Sequence, residues 1–244
     1  MWPQRWLGTE YSTLYSSFGR GVFTFAQAGS LTGMGENKLA VAFSKLHSAG
    51  ILIIFKRTRP RQYRLLDPRS FLLKSSGETS QARIGQEEYL QLIHDVYGAV
   101  RERVKLTSFC VYGSVAKGSA NPLSDVDMLL VSDDFRGSLA SRLDSLGFVE
   151  KQVGGELAFL ARHGYSTSVS IFPLRREEAE RAPILFLDLT LDAKFIHDEG
   201  GFLEGILSKL RARLDLMGAR RIDVEGGWYW DLKPGLRFGE LIEI

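Results

Sequence analysis

The chain of 244 residues is 44% hydrophobic and 25% charged with a formal net charge of +2, which excludes a disordered or fibrous protein and leaves nucleic-acid contact to be argued from local clusters. A single cysteine, Cys110, excludes an internal disulfide framework and a thiolate zinc cluster. Apolar runs such as 51–55 and 128–131 fall far short of the ~20 residues of a membrane-spanning helix, and Met1 to Trp6 lack the charged and apolar regions of a secretory signal, so a cytoplasmic protein without membrane contact is expected.

From 9 to 68 the pattern predicts a helix, a short strand, two helices and two strands. The third helix is the clearest: Leu39, Val41, Ala42, Phe43, Leu46 and Ala49 recur at helical spacing and Gly50 supplies the stop. Residues 51–56 and 62–66 follow as β-branched and aromatic strands around a cationic turn, Arg57-Thr58-Arg59-Pro60-Arg61. This order resembles a winged helix-turn-helix domain, taken as 9–73. The resemblance implies a docking module for nucleic acid or protein, and Arg57, Arg59, Arg61 and Arg64 around the hairpin are the candidate nucleic-acid contacts.

The polar stretch 74–86 is expected to be a surface linker. Beyond it, 87–104 carries a broad apolar stripe at helical spacing. The remainder alternates: strands at 108–112 and 126–132, a helix at 139–146, strands at 149–152, 157–161 and 166–172, and helices at 176–181 and 202–217. The alternation predicts a mixed-sheet α/β (α+β) domain over 87–244.

The chemistry concentrates between Tyr112 and Val131. An apolar strand runs into Gly113-Ser114, a loop follows, and a second apolar strand opens with Asp125-Val126-Asp127. Gly113 lets backbone approach a phosphate, and Ser114 offers a hydroxyl and a main-chain N–H. Strand alternation puts Asp125 and Asp127 on one face and Val126 in the core. Close carboxylates repel unless a divalent cation bridges them, and Mg²⁺ (or Mn²⁺) suits a few carboxylates shared with substrate phosphates.

Gly113, Ser114, Ala116, Lys117, Gly118, Ala120, Ser124, Asp125 and Asp127 fill a pattern that resembles the polymerase beta-like nucleotidyltransferases, of the minimal nucleotidyltransferase type. The resemblance implies an enzyme using ATP or another NTP. Gly113, Ser114, Lys117 and Ser124 would bind nucleotide, while Asp125 and Asp127 would be catalytic and hold the metal. The product would be a nucleoside monophosphate transferred to a protein or nucleic acid. It also implies a HEPN-type protein as a partner.

Members of this superfamily supply a third acid from a later strand, but 166–172 offers Ser168 and Ser170 on the expected face. Glu156 and Asp133 are the substitutes considered. The alternative function is a DNA-binding regulator with a nucleotide-binding but impaired domain.

His47, His94, His163 and His197 show no metal-ligand spacing. Asp192 and Asp198 read as structural, Lys209, Arg211 and Arg213 as a basic helix edge, and Trp228-Tyr229-Trp230 as a strand whose rings lock the tail or cover the site.

Overall fold

The computed structural model describes residues 4–80 and 84–235. Met1 to Pro3, part of the expected linker and the end of the C-terminal extension lie outside the described residues.

The N-terminal unit contains helix α1 (Arg5–Phe18), strand β1 (Phe23–Thr24), helices α2 (Phe25–Thr32) and α3 (Glu36–Ser48), and strands β2 (Leu52–Lys56) and β3 (Gln62–Leu65). Thr24 starts α2 through a reciprocal cap with Gln27. At the end of α3, Gly50 takes φ +64°, which turns the chain into β2. The strands form an antiparallel sheet in the order β1-β3-β2. Leu14, Phe23, Leu39, Leu46 and Leu52 fill the core between helices and sheet.

Helix α4 (Pro68–Ser75) follows, with Asp67 as N-cap and Pro68 in its first turn. The expected surface linker is therefore helical where it starts, and Lys74, Ser75 and Thr79 are buried. Composition misleads here because the apolar stem of a lysine and small hydroxyl groups pack under neighbouring elements.

The larger unit begins with a 3₁₀ turn (Glu87–Tyr89) and α5 (Leu90–Arg101). It continues with β4 (Ser108–Tyr112), α6 (Gly113–Lys117), β5 (Val126–Val131), α7 (Leu139–Leu146), α8 (Phe148–Arg162), β6 (Val169–Leu174) and α9 (Arg176–Glu180). Then come α10 (Phe186–Asp192), β7 (Lys194–Asp198), α11 (Phe202–Met217), β8 (Arg220–Val224) and β9 (Gly227–Asp231). The main sheet has the order β6-β5-β4-β7, with β5 and β6 parallel and the other pairs antiparallel, so the expected mixed-sheet α/β class holds.

Alternation along the central strands feeds two cores. Phe109, Val111, Val126, Met128 and Leu130 pack toward α5 and α8. Cys110, Leu129 and Val131 pack with residues of α10 and α11 on the other face. Among the described residues no helix is long and apolar enough to cross a membrane.

Two expected strands, 149–152 and 157–161, are instead the single helix α8. Val149, Val153, Glu156 and Leu160 lie on its buried stripe at helical spacing. Gly154 and Gly155 each cost a helix about 1 kcal/mol, but tertiary burial of that stripe outweighs them.

Glu156, one candidate for the third acid, is buried far from solvent and forms a two-pronged ion pair with Arg64 of β3, Nη2 to Oε2 being 2.6 Å. Arg64 is itself 0% exposed, its guanidinium stacked 4.0 Å over the Phe159 ring. It cannot serve the exposed wing as a nucleic-acid contact, because its side chain is spent on holding β3 to α8. Arg20 extends the network to Asp67 and, at 2.7 and 2.8 Å, to Asp95 of α5. Ile53, Phe55 and Leu66 of the N-terminal unit join the same apolar cluster as α5 and β5.

Two stability predictions follow from this burial. Glu156→Ala strands the Arg64 guanidinium without a counter-charge and should cost about 3–5 kcal/mol in urea unfolding; a loss below about 1 kcal/mol would show that Arg64 rehydrates instead. Burial pushes the His94 imidazole down to about 3, helped by neighbouring Lys74 and opposed by Asp67. An imidazole of ordinary value in the unfolded chain binds its proton first, so stability falls as pH drops below about 6.5. At pH 5 this amounts to about 2 kcal/mol. His94→Leu should flatten that limb between pH 7 and 5, and an unchanged slope would mean that other groups set it.

Candidate functional site

The main sheet offers its polar face at the N-terminal ends of β5 and β6. Asp127 pairs in register with Tyr112 of β4 on one side and Ser170 of β6 on the other. Asp125 lies one pleat earlier on the same face, just before β5, and is exposed. Neither carboxylate has a lysine or arginine within ion-pair distance among the described residues.

The serines opposite them act as donors. Ser168 Oγ donates to Asp125 Oδ1 at 2.7 Å. Burial and the neighbouring Asp125 charge together raise the Asp127 carboxyl above the usual aspartate value, and the Ser170 hydroxyl on the adjacent strand acts in the opposite sense. Burial is the larger cause. A carboxylate held in this state is a poor free anion and a ready ligand for any cation that relieves both penalties.

Gly113 is required twice over. Its φ is +71°, and a β-carbon there would run into the Asp127 carboxylate. It opens α6, where a loop was expected, and Gly118 at φ +82° closes it in the left-handed conformation. The next turn is held by side chains: Asn121 Oδ1 accepts from Leu123 N, and Ser124 Oγ accepts from Asn121 N at 3.0 Å. Ser124 O also accepts from Thr167 Oγ1, so this residue ties the loop to the start of β6.

A cleft of ≈ 360 Å³ opens beside these elements, with Gly113, Ser114, Lys117 and Asp127 on one wall and Asp188, Asp192 and Trp228 on the other. Lys117 Nζ lies 3.2 Å from Asp192 Oδ2 and 4.6 Å from the centre of the Trp228 ring. The indole N–H groups of Trp228 and Trp230 both donate to Asp188 Oδ1 at 3.0 Å. Arg221 of β8 lies 5.3 Å over Trp228. The β8-β9 hairpin is thereby latched over the lysine that would meet phosphate.

Gly113, Ser114, Lys117 and Asp127 thus share one cleft, with Asp125 beside it and Ser124 in the supporting turn. Asp133, the other candidate for a third acid, is exposed in the loop after β5 and faces Arg176 at the opposite end of the strand. Arg57, Arg59 and Arg61 are exposed at the hairpin, and Arg57 reaches Glu87 at 3.3 Å.

Asp198 is structural as expected: it caps α11 by accepting from Leu203 N and Glu204 N. Asp192, read in the same way, lines the cleft with Asp188 one helical turn before it. That i,i+4 pair, and the paired indoles, are the signals in the sequence that could have marked this wall. Among the described residues no group of three or more His, Cys, Asp or Glu side chains is placed to hold a metal ion.

Residues 93–181 match the model of the family described as the nucleotidyltransferase domain, which covers β4 through α9 and both aspartates. The match supports the nucleotidyltransferase superfamily for this part of the chain. A solved structure described as "Crystal structure of the toxin-antitoxin with AMP-PNP" is similar over 52% of this chain and 92% of that one, at 12% identity and a TM-score of 0.34. That likeness is too distant to bear on ligand or partner. Comparison with curated proteins gives no match.

The latch has a direct optical readout. Asp188→Ala should free both indoles, shifting tryptophan emission to longer wavelength and raising acrylamide quenching while Trp2 and Trp6 supply a constant background. An unchanged spectrum would mean that the hairpin is held by other contacts.

Proposed function

We propose that the protein is a nucleotidyltransferase that binds an NTP in the Gly113–Asp127 cleft and transfers its nucleoside monophosphate to a macromolecular acceptor. The observation that carries this reading is the junction of Gly113-Ser114 with Asp127. The glycine's backbone conformation and the absence of its β-carbon leave the cleft open directly against the half-buried Asp127 carboxylate. Ser114 would bind phosphate oxygens, and Lys117, once released from Asp192, would neutralise phosphate charge.

The acids fit a divalent cation such as Mg²⁺: two carboxylates share a face, lack basic partners among the described residues, and the pKa of Asp127 is raised by burial and then by the Asp125 charge. Asp125 and Asp127 would hold it, and when bound it would supply charge compensation for the attacking and leaving oxygens. Ser168 and Ser170 orient the two carboxylates. The N-terminal unit, read as a winged helix, would dock nucleic acid through exposed Arg59 and Arg61 and the exposed Lys38 and Lys45 of α3. A protein partner of the HEPN type remains part of the same reading as an acceptor.

A second reading is favoured by one observation. Where the resemblance calls for an acid, the register partner of Asp127 on β6 is Ser170, so the site would bind nucleotide and regulate DNA docking without turnover. The two readings separate in one experiment. Incubation with α-labelled ATP, Mg²⁺ and cell extract should label a macromolecule, Asp127→Asn should abolish the label, and Ser170→Asp should leave or increase it. Absence of label in the native protein, gained in Ser170→Asp, would establish the regulatory reading; labelling that survives Asp127→Asn would overturn the site.

A further inference from the structure

A groove of ≈ 690 Å³ between α9 and α11 is larger than the cleft at Asp127. The two share no lining residue. Strand β6 passes Asp127 at Ser170 and ends at Leu174, and α9 starts two residues later. At roughly 3.3 Å per residue the groove lies more than about 13 Å from the aspartates, at the opposite end of the sheet.

Its walls are cationic. Arg176 and Arg181 come from α9 and its end, Lys209 and Arg213 from successive turns of α11, and Glu180 is the one acid among the lining residues. Arg181, Lys209 and Arg213 have no acidic partner among the described residues, whereas Arg20, Arg64, Arg69, Arg101 and Arg142 are all paired. Arg176 has only Asp133, at 4.0 Å, and its guanidinium is positioned 4.2 Å over the ring of Phe202. Cations facing one opening repel modestly in water and gain when a multiply charged anion enters.

The groove's depth has a specific origin. Gly205 sits on the α11 face between Phe202 and Lys209, has no left-handed φ, and would place a β-carbon with nothing within 4 Å. Packing does not demand a glycine here, although it costs the helix about 1 kcal/mol relative to alanine. What the missing side chain provides is room. The volume lies in the range of small-molecule sites.

We infer that this groove is a second anion site, taking a chain of phosphate groups along Arg176, Arg181, Lys209 and Arg213. The chemistry is that of an oligophosphate, either free or as the backbone of a nucleic-acid strand. It does not depend on turnover at Asp127.

Calorimetric titration of the full chain with sodium tripolyphosphate, in EDTA to silence divalent cations, tests the site. The triple variant Arg181→Ala, Lys209→Ala, Arg213→Ala should bind at least tenfold more weakly. Gly205→Glu, which fills the groove and places a carboxylate among the cations, should do the same if the triple variant fails to fold. Gly205→Ala should bind as the native chain does.

Tripolyphosphate binding that is absent, or that persists within twofold in a folded triple variant or in Gly205→Glu, overturns the site, as does loss confined to Asp127→Asn or to the pair Arg59→Ala, Arg61→Ala. A fluorescent oligo-dT of about ten nucleotides separates the sources. Weakening by the same groove variants assigns the phosphates to a strand, and oligonucleotide binding unchanged while tripolyphosphate binding is lost assigns them to a free oligophosphate.

Discussion

Strand β5 is buried on both faces, and that constraint locates the chemistry. Met128 and Leu130 enter the core under α5 and α8, while Leu129 and Val131 enter the core under α10 and α11. A carboxylate at any of these four positions would be desolvated without compensation. Only at the leading end, where the second face is left uncovered, can the strand carry acids. Asp125 and Asp127 stand there, and every other part of the cleft is arranged around that end: Gly113 yields space to Asp127, α6 turns back from β4, and α10 supplies the far wall.

Opposing influences meet at Asp127. Burial and Asp125 disfavour its charge, and Ser170 partly restores it. A hydroxyl donor does this without adding a negative charge, so the pair of carboxylates is tolerable in the empty cleft. An acid at the same position would increase the repulsion and would need the cation more. Serine therefore adds no third negative charge to this end of the sheet. On the opposite wall Asp192 holds Lys117 until something more anionic takes its place.

Much of this was legible from residue order, because the relevant signals are local. The segment 113–127 names its own strand ends, turn glycine and facing acids, and α3 and α11 announce themselves by periodicity between glycine stops. What was not legible depends on distant pairing. Arg64 reads as one more cation of a basic hairpin until Glu156, 92 positions later, is seen beside it. The same pairing hides α8, since a glutamate on an apolar stripe next to two glycines breaks the helical pattern. Asp188 and Asp192 gain meaning only when the C-terminal hairpin folds back over them.

That distant pairing also decides how the two ends of the molecule relate. Separating the N-terminal unit from the larger one would expose Ile53, Phe55 and Leu66 and leave Arg64 and Glu156 as unpaired charges in an apolar setting. Breaking a buried pair by removing one member costs several kcal/mol, and the lost apolar burial adds about 25 cal/mol for each Å² re-exposed. The hairpin arginines are therefore not carried on a tether. They are displayed from a surface whose underside is the core that supports β5, at a set orientation to the cleft at Asp127.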